Sequence, residues 1–348
     1  ATFVSRRLGI GGGTTAPGHL VSVLDPEAIS TIAARLPRGC IVLTGTNGKT
    51  TTTRMISTVL RKAGLRVVHN RSGANLIPGI TSTLVNQSGL DGRPRADVGL
   101  FEVDEAAFPS AVDKLKPRLC VLTNLFRDQL DRYGEVDYLS RLWRETLERL
   151  PASSTVLLNA DDPRVAGLSD GLTCRVLHYG LDDPSLGGTP GVLSHAADSR
   201  FCTRCGSPFD YSMVFYSHLG HYRCPSCGLA RPEPQLRVVR AQLLGTRGSR
   251  VEVVGPKDSL DLQVKVPGLY NIYNALAAVG AAYAMGIHAA AVRAGIEDFA
   301  AAFGRVERVR LQGRELFLAL VKNPVGFNQV LSTLLQEPGQ KALMIVIN

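Results

Sequence analysis

The chain has 348 residues, 45% of them hydrophobic and 20% charged, with a formal net charge of +9, which is length enough for two or three domains that each bury a core. No apolar run approaches the roughly eighteen residues of a membrane span and no signal-peptide layout is present, so the expectation is a soluble, cytoplasmic chain. The basic balance suits nucleic acid, an anionic membrane face or a phosphorylated ligand, and does not choose among them.

In chain order, residues 1–38 carry a glycine-rich start (Gly9, Gly11, Gly12, Gly13, then Pro17-Gly18) and a helix-like stretch from Pro26 to Leu36. The apolar run Cys40-Ile41-Val42-Leu43 then leads into Gly45-Thr46-Asn47-Gly48-Lys49-Thr50-Thr51, after which Met55, Ile56, Val59 and Leu60 recur at helical spacing and Gly64 is placed to end the helix. Strand, glycine loop and helix N-terminus in that order make a nucleoside-triphosphate cradle. The glycines let backbone N–H groups close around phosphate oxygens, Lys49 meets the β/γ-phosphates, and the Thr50 hydroxyl can join a Mg²⁺ shell. Leu43 stands where the general P-loop has its first glycine, so this is a compact variant; a glycine turn that happens to hold a lysine is the plainer alternative, and the flanking elements argue against it.

Strand-like segments at Leu65–His69, Val98–Val103, Leu119–Thr123 and Thr155–Leu158, with a helix around Tyr138–Leu150, predict an α/β domain with a mostly parallel sheet and helices on both faces. Glu102 ends one of these strands where α/β nucleotide enzymes place an acid for Mg²⁺. Strand alternation sends Val103 to the other face, so Glu102 is the first candidate and Glu105 the second, against the alternative of ordinary solvated acids. Polar clusters at Asn124 to Glu135 (with Asp128, Gln129 and Asp131), at Asn159-Ala-Asp161-Asp162, and at Tyr270-Asn271-Ile-Tyr273-Asn274 sit at further element ends.

Of seven cysteines, Cys40, Cys120 and Cys174 lie singly in apolar segments and are expected to be buried. The other four form Cys202-x-x-Cys205 and Cys224-x-x-Cys227, two knuckles with 18 residues between them, the spacing of a four-cysteine zinc ribbon, inserted at about 201–230. Gly206 and Gly228 follow the knuckles, where a small residue lets N–H groups reach the sulfurs. A pair of disulfides is the competing reading. Four protein thiolates leave no open position, so the zinc is expected to be structural. His218 and His221 are expected at the surface, and Phe209, Tyr211, Phe215, Tyr216 and Tyr222 in a small ribbon core. Alanine-rich helices follow at Asn274–Met285 and Ala289–Phe303. Past Gly304-Arg305 a new unit begins, with a strand near Leu316–Val321, a helix near Gln329–Leu335 and a strand at Ala342–Ile347.

The order Gly-Thr-Asn-Gly-Lys-Thr, strand-end Glu, Thr-Asn…Asp-x-Leu-Asp…Gly, Leu-Asn-Ala-Asp-Asp, then Tyr-Asn-x-x-Asn-Ala-x-Ala-Ala resembles the Mur ligase superfamily of ATP-dependent carboxylate–amine ligases, over nearly all of residues 39–304. The ribbon, the run Asn124–Glu135 and the later Lys322–Gln329 are similar to its branch of synthetase subunits that amidate lipid II. That resemblance implies an N-terminal segment (1–38), a central ATPase domain (39–304) carrying the ribbon, and the start of a Rossmann-like C-terminal α/β domain (305–348) that continues past Asn348. It implies ATP and Mg²⁺, with Asn271 and Asn274 supporting the nucleotide. It also implies a GatD-type glutaminase as heterodimer partner, lipid II at the inner membrane face as substrate, and no nucleic acid. The implied reaction converts the D-glutamate α-carboxyl of the stem peptide to an amide through an acyl phosphate.

Two departures stand out. Amino-acid-adding members carry a carbamylated lysine before Leu-Asn-Ala-Asp-Asp, but no lysine lies between Lys116 and Lys257, and Gln129 and Tyr270 stand where those members tend to carry histidine. The alternatives are an amino-acid-adding or folylpolyglutamate-type ligase and, from another class, a zinc-ribbon ATPase that binds nucleic acid.

Overall fold

The computed structural model describes residues 15–70, 74–89, 91–127, 135–188, 198–299, 306–321, 323–336, 339 and 342–346. The early glycines Gly9 to Gly13, the stretch holding Asp128, Gln129 and Asp131, Gly304-Arg305 and Lys322 lie outside the described residues. Six strands, β1 (Cys40–Thr44), β2 (Val67–His69), β3 (Val98–Glu102), β4 (Leu119–Leu122), β5 (Thr155–Asn159) and β6 (Arg175–Leu181), run parallel in the order β6-β5-β4-β1-β3-β2. β7 (Asp210–Tyr216) and β8 (Leu219–Arg223) form a separate antiparallel hairpin. The chain then returns to the main sheet: β9 (Leu236–Leu243) joins β6 in parallel, and β10 (Ser249–Val254) and β11 (Ser259–Val264) extend it antiparallel to nine strands.

β1, β3 and β4 are buried along their whole length, which is why their sequences are unbroken apolar runs instead of alternating ones. Alternation survives as a choice of face. Ile41, Leu43, Leu100 and Val121 pack with Met55, Ile56, Val59 and Leu60 of the helix Lys49–Lys62 and with the helix Leu269–Ala284, whereas Cys40, Val42, Phe101 and Leu122 pack on the opposite face with Trp143 and Leu147 of Glu135–Glu148. Ile29, Ile32 and Leu36 belong to that second core, so the N-terminal segment packs directly on the sheet. Cys40, Cys120 and Cys174 are buried.

The register brings the site together. Leu43 is level with Glu102, and Thr44 with Leu122, so β1, β3 and β4 end at one edge and present residues 45–50, 102–105 and 123–127 side by side.

The C-terminal portion differs from expectation. β12 (Val306–Leu311) and β13 (Arg314–Ala319) pair antiparallel, and the helix Pro324–Leu335 follows with Asn323 as its N-cap. The expected strand at Ala342–Ile347 is not formed over 342–346, which are irregular and exposed. The apolar run Ala-Leu-Met-Ile-Val has strand propensity, but among the described residues it has no neighbouring strand to pair with.

His178 on β6 sets a pH dependence. Burial, with the Arg231 charge adding to it, pushes its imidazole down to about 4, and its Nε2 has no hydrogen-bond partner among the described residues. The native state therefore keeps it neutral while the unfolded chain takes up a proton near 6.5, so its contribution is complete above that pH and is lost as pH falls toward 4. Urea titrations should show wild type losing about 3 kcal/mol more than His178→Gln across this window. Equal pH slopes would contradict that assignment.

Candidate functional site

The glycine loop joins β1 to the helix Lys49–Lys62, whose first-turn residues Lys49, Thr50 and Thr51 line a cavity of about 320 Å³. Gly48 takes φ +84° and lies so close to the helix Leu269–Ala284 that a Cβ would sit 2.1 Å from Asn274 Oδ1, so only glycine fits. The Lys49 ammonium donates to Gly45 O (2.7 Å), Thr46 O (3.3 Å) and Glu105 Oε1 (2.9 Å). Both members of the Lys49–Glu105 pair are largely shielded, at 14% and 16% side-chain exposure. Burial raises the Glu105 carboxyl above its usual range against the pull of Lys49. Trp143 Nε1 donates to Glu105 O at 2.9 Å and fixes this acid's backbone.

The Thr50 hydroxyl donates to Glu102 Oε1 at 3.0 Å, and Glu102 is 4% exposed. Asn70 clamps the end of β3 by accepting from Glu102 N (3.0 Å) and donating to Glu102 O (2.7 Å). Thr50 and Glu102 thus supply adjacent hard oxygen donors at the cavity, the chemistry a Mg²⁺-like cation takes.

Asn271 and Asn274 line the same cavity from the first two turns of Leu269–Ala284. Thr52 Oγ1 donates to Asn274 Oδ1 (3.1 Å), Asn274 Nδ2 to Asn271 Oδ1 (2.9 Å), and Asn271 Nδ2 to Pro267 O (2.7 Å), so the pair ties the phosphate-loop helix to the next one. Asn47 is bracketed as well: its N–H donates to Asn124 Oδ1 (2.8 Å), its carbonyl accepts from Asn124 Nδ2 (3.0 Å), and its Oδ1 accepts from Asn323 Nδ2 (2.9 Å). Sequence reasoning singled out none of Asn70, Asn124 and Asn323 individually; Asn124 and Asn323 carried a signal as members of quoted motifs, whereas Asn70 carried none. A larger open hollow of about 440 Å³ beside β9–β11 is lined by Arg240, Arg250, Glu252 and Arg293 and touches no phosphate loop.

The Asp161-Asp162 pair is structural here. Asp161 accepts from Leu181 N (2.8 Å), the Tyr273 hydroxyl (2.7 Å) and Arg231 Nε (2.6 Å); burial raises its carboxyl against those interactions. Asp162 caps the short helix Pro163–Ala166 and accepts from Leu125 N (2.8 Å). Burial alone would raise Asp162, but the facing His218 and the backbone donors outweigh it and hold the carboxyl below its usual range.

The four Sγ atoms of Cys202, Cys205, Cys224 and Cys227 all lie within 4.8 Å of one another, with Cys202–Cys227 at 3.6 Å and Cys205–Cys224 at 3.4 Å. Tetrahedral thiolates at a metal–sulfur distance of about 2.3 Å stand about 3.8 Å apart, so this set can hold a metal ion. Gly206 and Gly228 adopt left-handed φ of +75° and +76° after the knuckles. Backbone and side-chain hydrogen bonds from Ser207 pull the Cys205 thiol down to about 6, toward the thiolate a metal needs. Two expectations are corrected. His218 is fully buried, its Nε2 3.4 Å from Asp162 Oδ2, and His221 Nε2 lies 2.7 Å from Leu181 O, because the hairpin docks on the sheet edge. Phe209, Tyr211 and Tyr222 do form a ribbon core with Cys202 and Cys224, but Phe215 and Tyr216 join the main core.

The chain matches the Mur ligase middle domain over residues 43–218. It is 33% identical to the lipid II isoglutaminyl synthase (glutamine-hydrolyzing) subunit MurT of Streptococcus pneumoniae (strain ATCC BAA-255 / R6), over 99% of this chain and 74% of that protein. To the subunit of the same name from Staphylococcus aureus (strain N315) it is 30% identical, over 97% of this chain and 73% of that one. Among solved structures, a pseudomurein peptide ligase type C from Methanothermus fervidus superposes with a TM-score of 0.70 at 24% identity, covering 86% of this chain and 56% of that one, a likeness of fold.

Proposed function

The chain belongs to the Mur ligase family, and from that premise we propose that it is the synthetase subunit of an ATP-dependent amidotransferase that converts the D-glutamate α-carboxyl of lipid II to a carboxamide. The observation that carries this reading is the 33% identity with a lipid II isoglutaminyl synthase subunit along 99% of the chain. The site chemistry supports it. Gly45 through Thr51 would hold the triphosphate with backbone N–H groups and Lys49, and Asn271 and Asn274 would support the nucleotide from the next helix. Thr50 and Glu102 would hold Mg²⁺, which when bound neutralises phosphate charge. A carboxylate oxygen attacks the γ-phosphorus and ADP leaves; ammonia then attacks the acyl carbon, phosphate leaves, and the nitrogen loses its surplus proton. Catalysis in this scheme is positioning and charge neutralisation.

The four cysteines would hold zinc with no ligand position left for substrate, so its role is structural. For domains, 39–304 would be the central ATPase unit with the ribbon at about 201–230, and 305–348 would belong to a C-terminal Rossmann-like unit. The ammonia would come from a GatD-type glutaminase in another chain. Four cysteines sit in the metal cluster, and burial pushes Cys40 up to about 12 and raises Cys120 and Cys174, which suits none of them as a glutaminase nucleophile. Among the described residues no helix is long and apolar enough to cross a membrane. The chain would meet lipid II at the inner face of the membrane.

ADP release by the full chain with a lipid II analogue, ATP and Mg²⁺ should respond to ammonium and not to free amino acids. Amino-acid-dependent product would favour the amino-acid-adding or folylpolyglutamate-type reading. Nucleic-acid binding lacks a platform in Phe209, Tyr211, Phe215, Tyr216 and Tyr222, all of which are buried.

The two acids should separate. Glu102→Ala is expected to lower kcat by about a hundredfold or more and to raise the Mg²⁺ requirement, whereas Glu105→Ala, which only frees Lys49, should cost about tenfold. The reverse ranking would place the metal on Glu105.

A further inference from the structure

Residues 123–127, which follow β4, work as a two-faced loop. Toward the phosphate loop, Phe126 N donates to Thr46 Oγ1 and Thr46 Oγ1 donates to Phe126 O, both at 3.0 Å, while Asn124 brackets Asn47 and Thr123 Oγ1 donates to Asn47 O at 3.2 Å. Toward the ribbon, the Phe126 ring stacks on Tyr216 (centroids 6.2 Å apart, planes 24°) and lies 4.7 Å from His218. Tyr216 ends β7 and His218 lies in the turn of the β7–β8 hairpin, which the chain suspends between its cysteine pairs. The hairpin and the segment after it are also bolted to the site, one point each: His218 in the hairpin faces Asp162, which accepts from Leu125 N, and Arg231, past the second knuckle, binds Asp161, which accepts from Tyr273 on the helix bearing Asn271 and Asn274. Tyr216 itself lines the cavity that holds Lys49.

We infer that the metal-bearing ribbon positions the nucleotide site: the Tyr216 ring, acting through Phe126, fixes Thr46 and Asn47 against the phosphates. The inference rests on the proposed reading of the cavity as a nucleotide site. Its physical basis is that a phosphate cradle made of backbone N–H groups has no side chains to readjust, so its shape comes from whatever packs behind it. Tyr216 is a positioning residue, and the metal acts through it by holding the hairpin in place.

The test uses the full chain and a fluorescent ADP analogue, with circular dichroism to confirm folding. Tyr216→Leu, which removes the ring, should weaken analogue binding by about tenfold or more, with KM for ATP rising in step and kcat falling far less. Tyr216→Phe, which keeps the ring, should bind like wild type. Wild-type protein stripped by chelator should weaken as Tyr216→Leu does, in proportion to the metal released. If Tyr216→Leu fails to fold, Tyr216→Met supplies the same comparison. Wild-type affinity in the ring-deleted variant overturns the coupling, as does a Tyr216→Phe as weak as Tyr216→Leu, which would place the effect on the hydroxyl. A wild-type protein that does not bind the analogue overturns the nucleotide reading itself, and the coupling with it.

Discussion

Lys49→Ala should reduce amide formation by about a thousandfold while leaving the fold in place. The ammonium sits at the mouth of the phosphate loop, bonded to Gly45 O, Thr46 O and Glu105. None of these needs a cation for the fold, and each is a contact a bound triphosphate would replace or share. Loss of the charge removes the group that neutralises the β/γ-phosphates, and among the described residues no other lysine or arginine lines the cavity. Stability should change little. Without its partner the Glu105 carboxyl, already raised by burial, rises further. A raised carboxyl destabilises the native state above its folded pKa, so any deficit of Lys49→Ala should shrink as pH falls through that value. Product analysis and thermal melts at two pH values check both halves. Turnover at the wild-type rate would remove Lys49 from the chemistry.

The second large effect is expected at the cysteine cluster. Cys202→Ser or Cys224→Ser should abolish metal binding, measured as one zinc per chain in wild type and none in the variants, and should lower the melting temperature before any separate effect on activity. Structural zinc contributes about 10–16 kcal/mol to small zinc-finger peptides. The loss here should be smaller, because the hairpin is also held by His221 against Leu181 O and by the Phe126–Tyr216 stack, and the segment just after it by Arg231 on Asp161. Cys224 is the more telling position, being fully buried in the ribbon core beside Phe209 and Tyr222. A metal-free variant with unchanged melting but no activity would give the metal a direct part in the chemistry.

What the sequence disclosed follows the range of each interaction. The phosphate loop was legible because Gly45, Gly48, Lys49 and Thr50 act within one turn of chain, and the cysteine knuckles because two short spacings bring the thiolates together. The parallel sheet was legible because strands covered on both faces leave continuous apolar runs. What stayed hidden depends on distant partners. Asn70 and Asn124 are polar residues past strand ends, with roles set by Glu102 and Asn47 across the sheet edge. The division of labour that puts Thr50 with Glu102 and Lys49 with Glu105 is a matter of tertiary geometry that strand alternation only half determines. His218 looked like a surface histidine because its burial comes from docking the hairpin on Asp162, and Phe215 and Tyr216 left the ribbon core for the main one for the same reason. The run at 342–346 shows the converse: it has local strand propensity but, among the described residues, no neighbouring strand, and it makes no strand.

The central claim is that ATP activates a carboxylate of lipid II as an acyl phosphate for attack by ammonia. The most direct test gives the full chain ATP, Mg²⁺, ammonium and a lipid II analogue whose D-glutamate α-carboxyl carries heavy oxygen. The account predicts that each amide formed is matched by one heavy oxygen in the released inorganic phosphate, with ADP as the nucleotide product. Phosphate free of heavy oxygen, or heavy oxygen appearing in AMP, would contradict it.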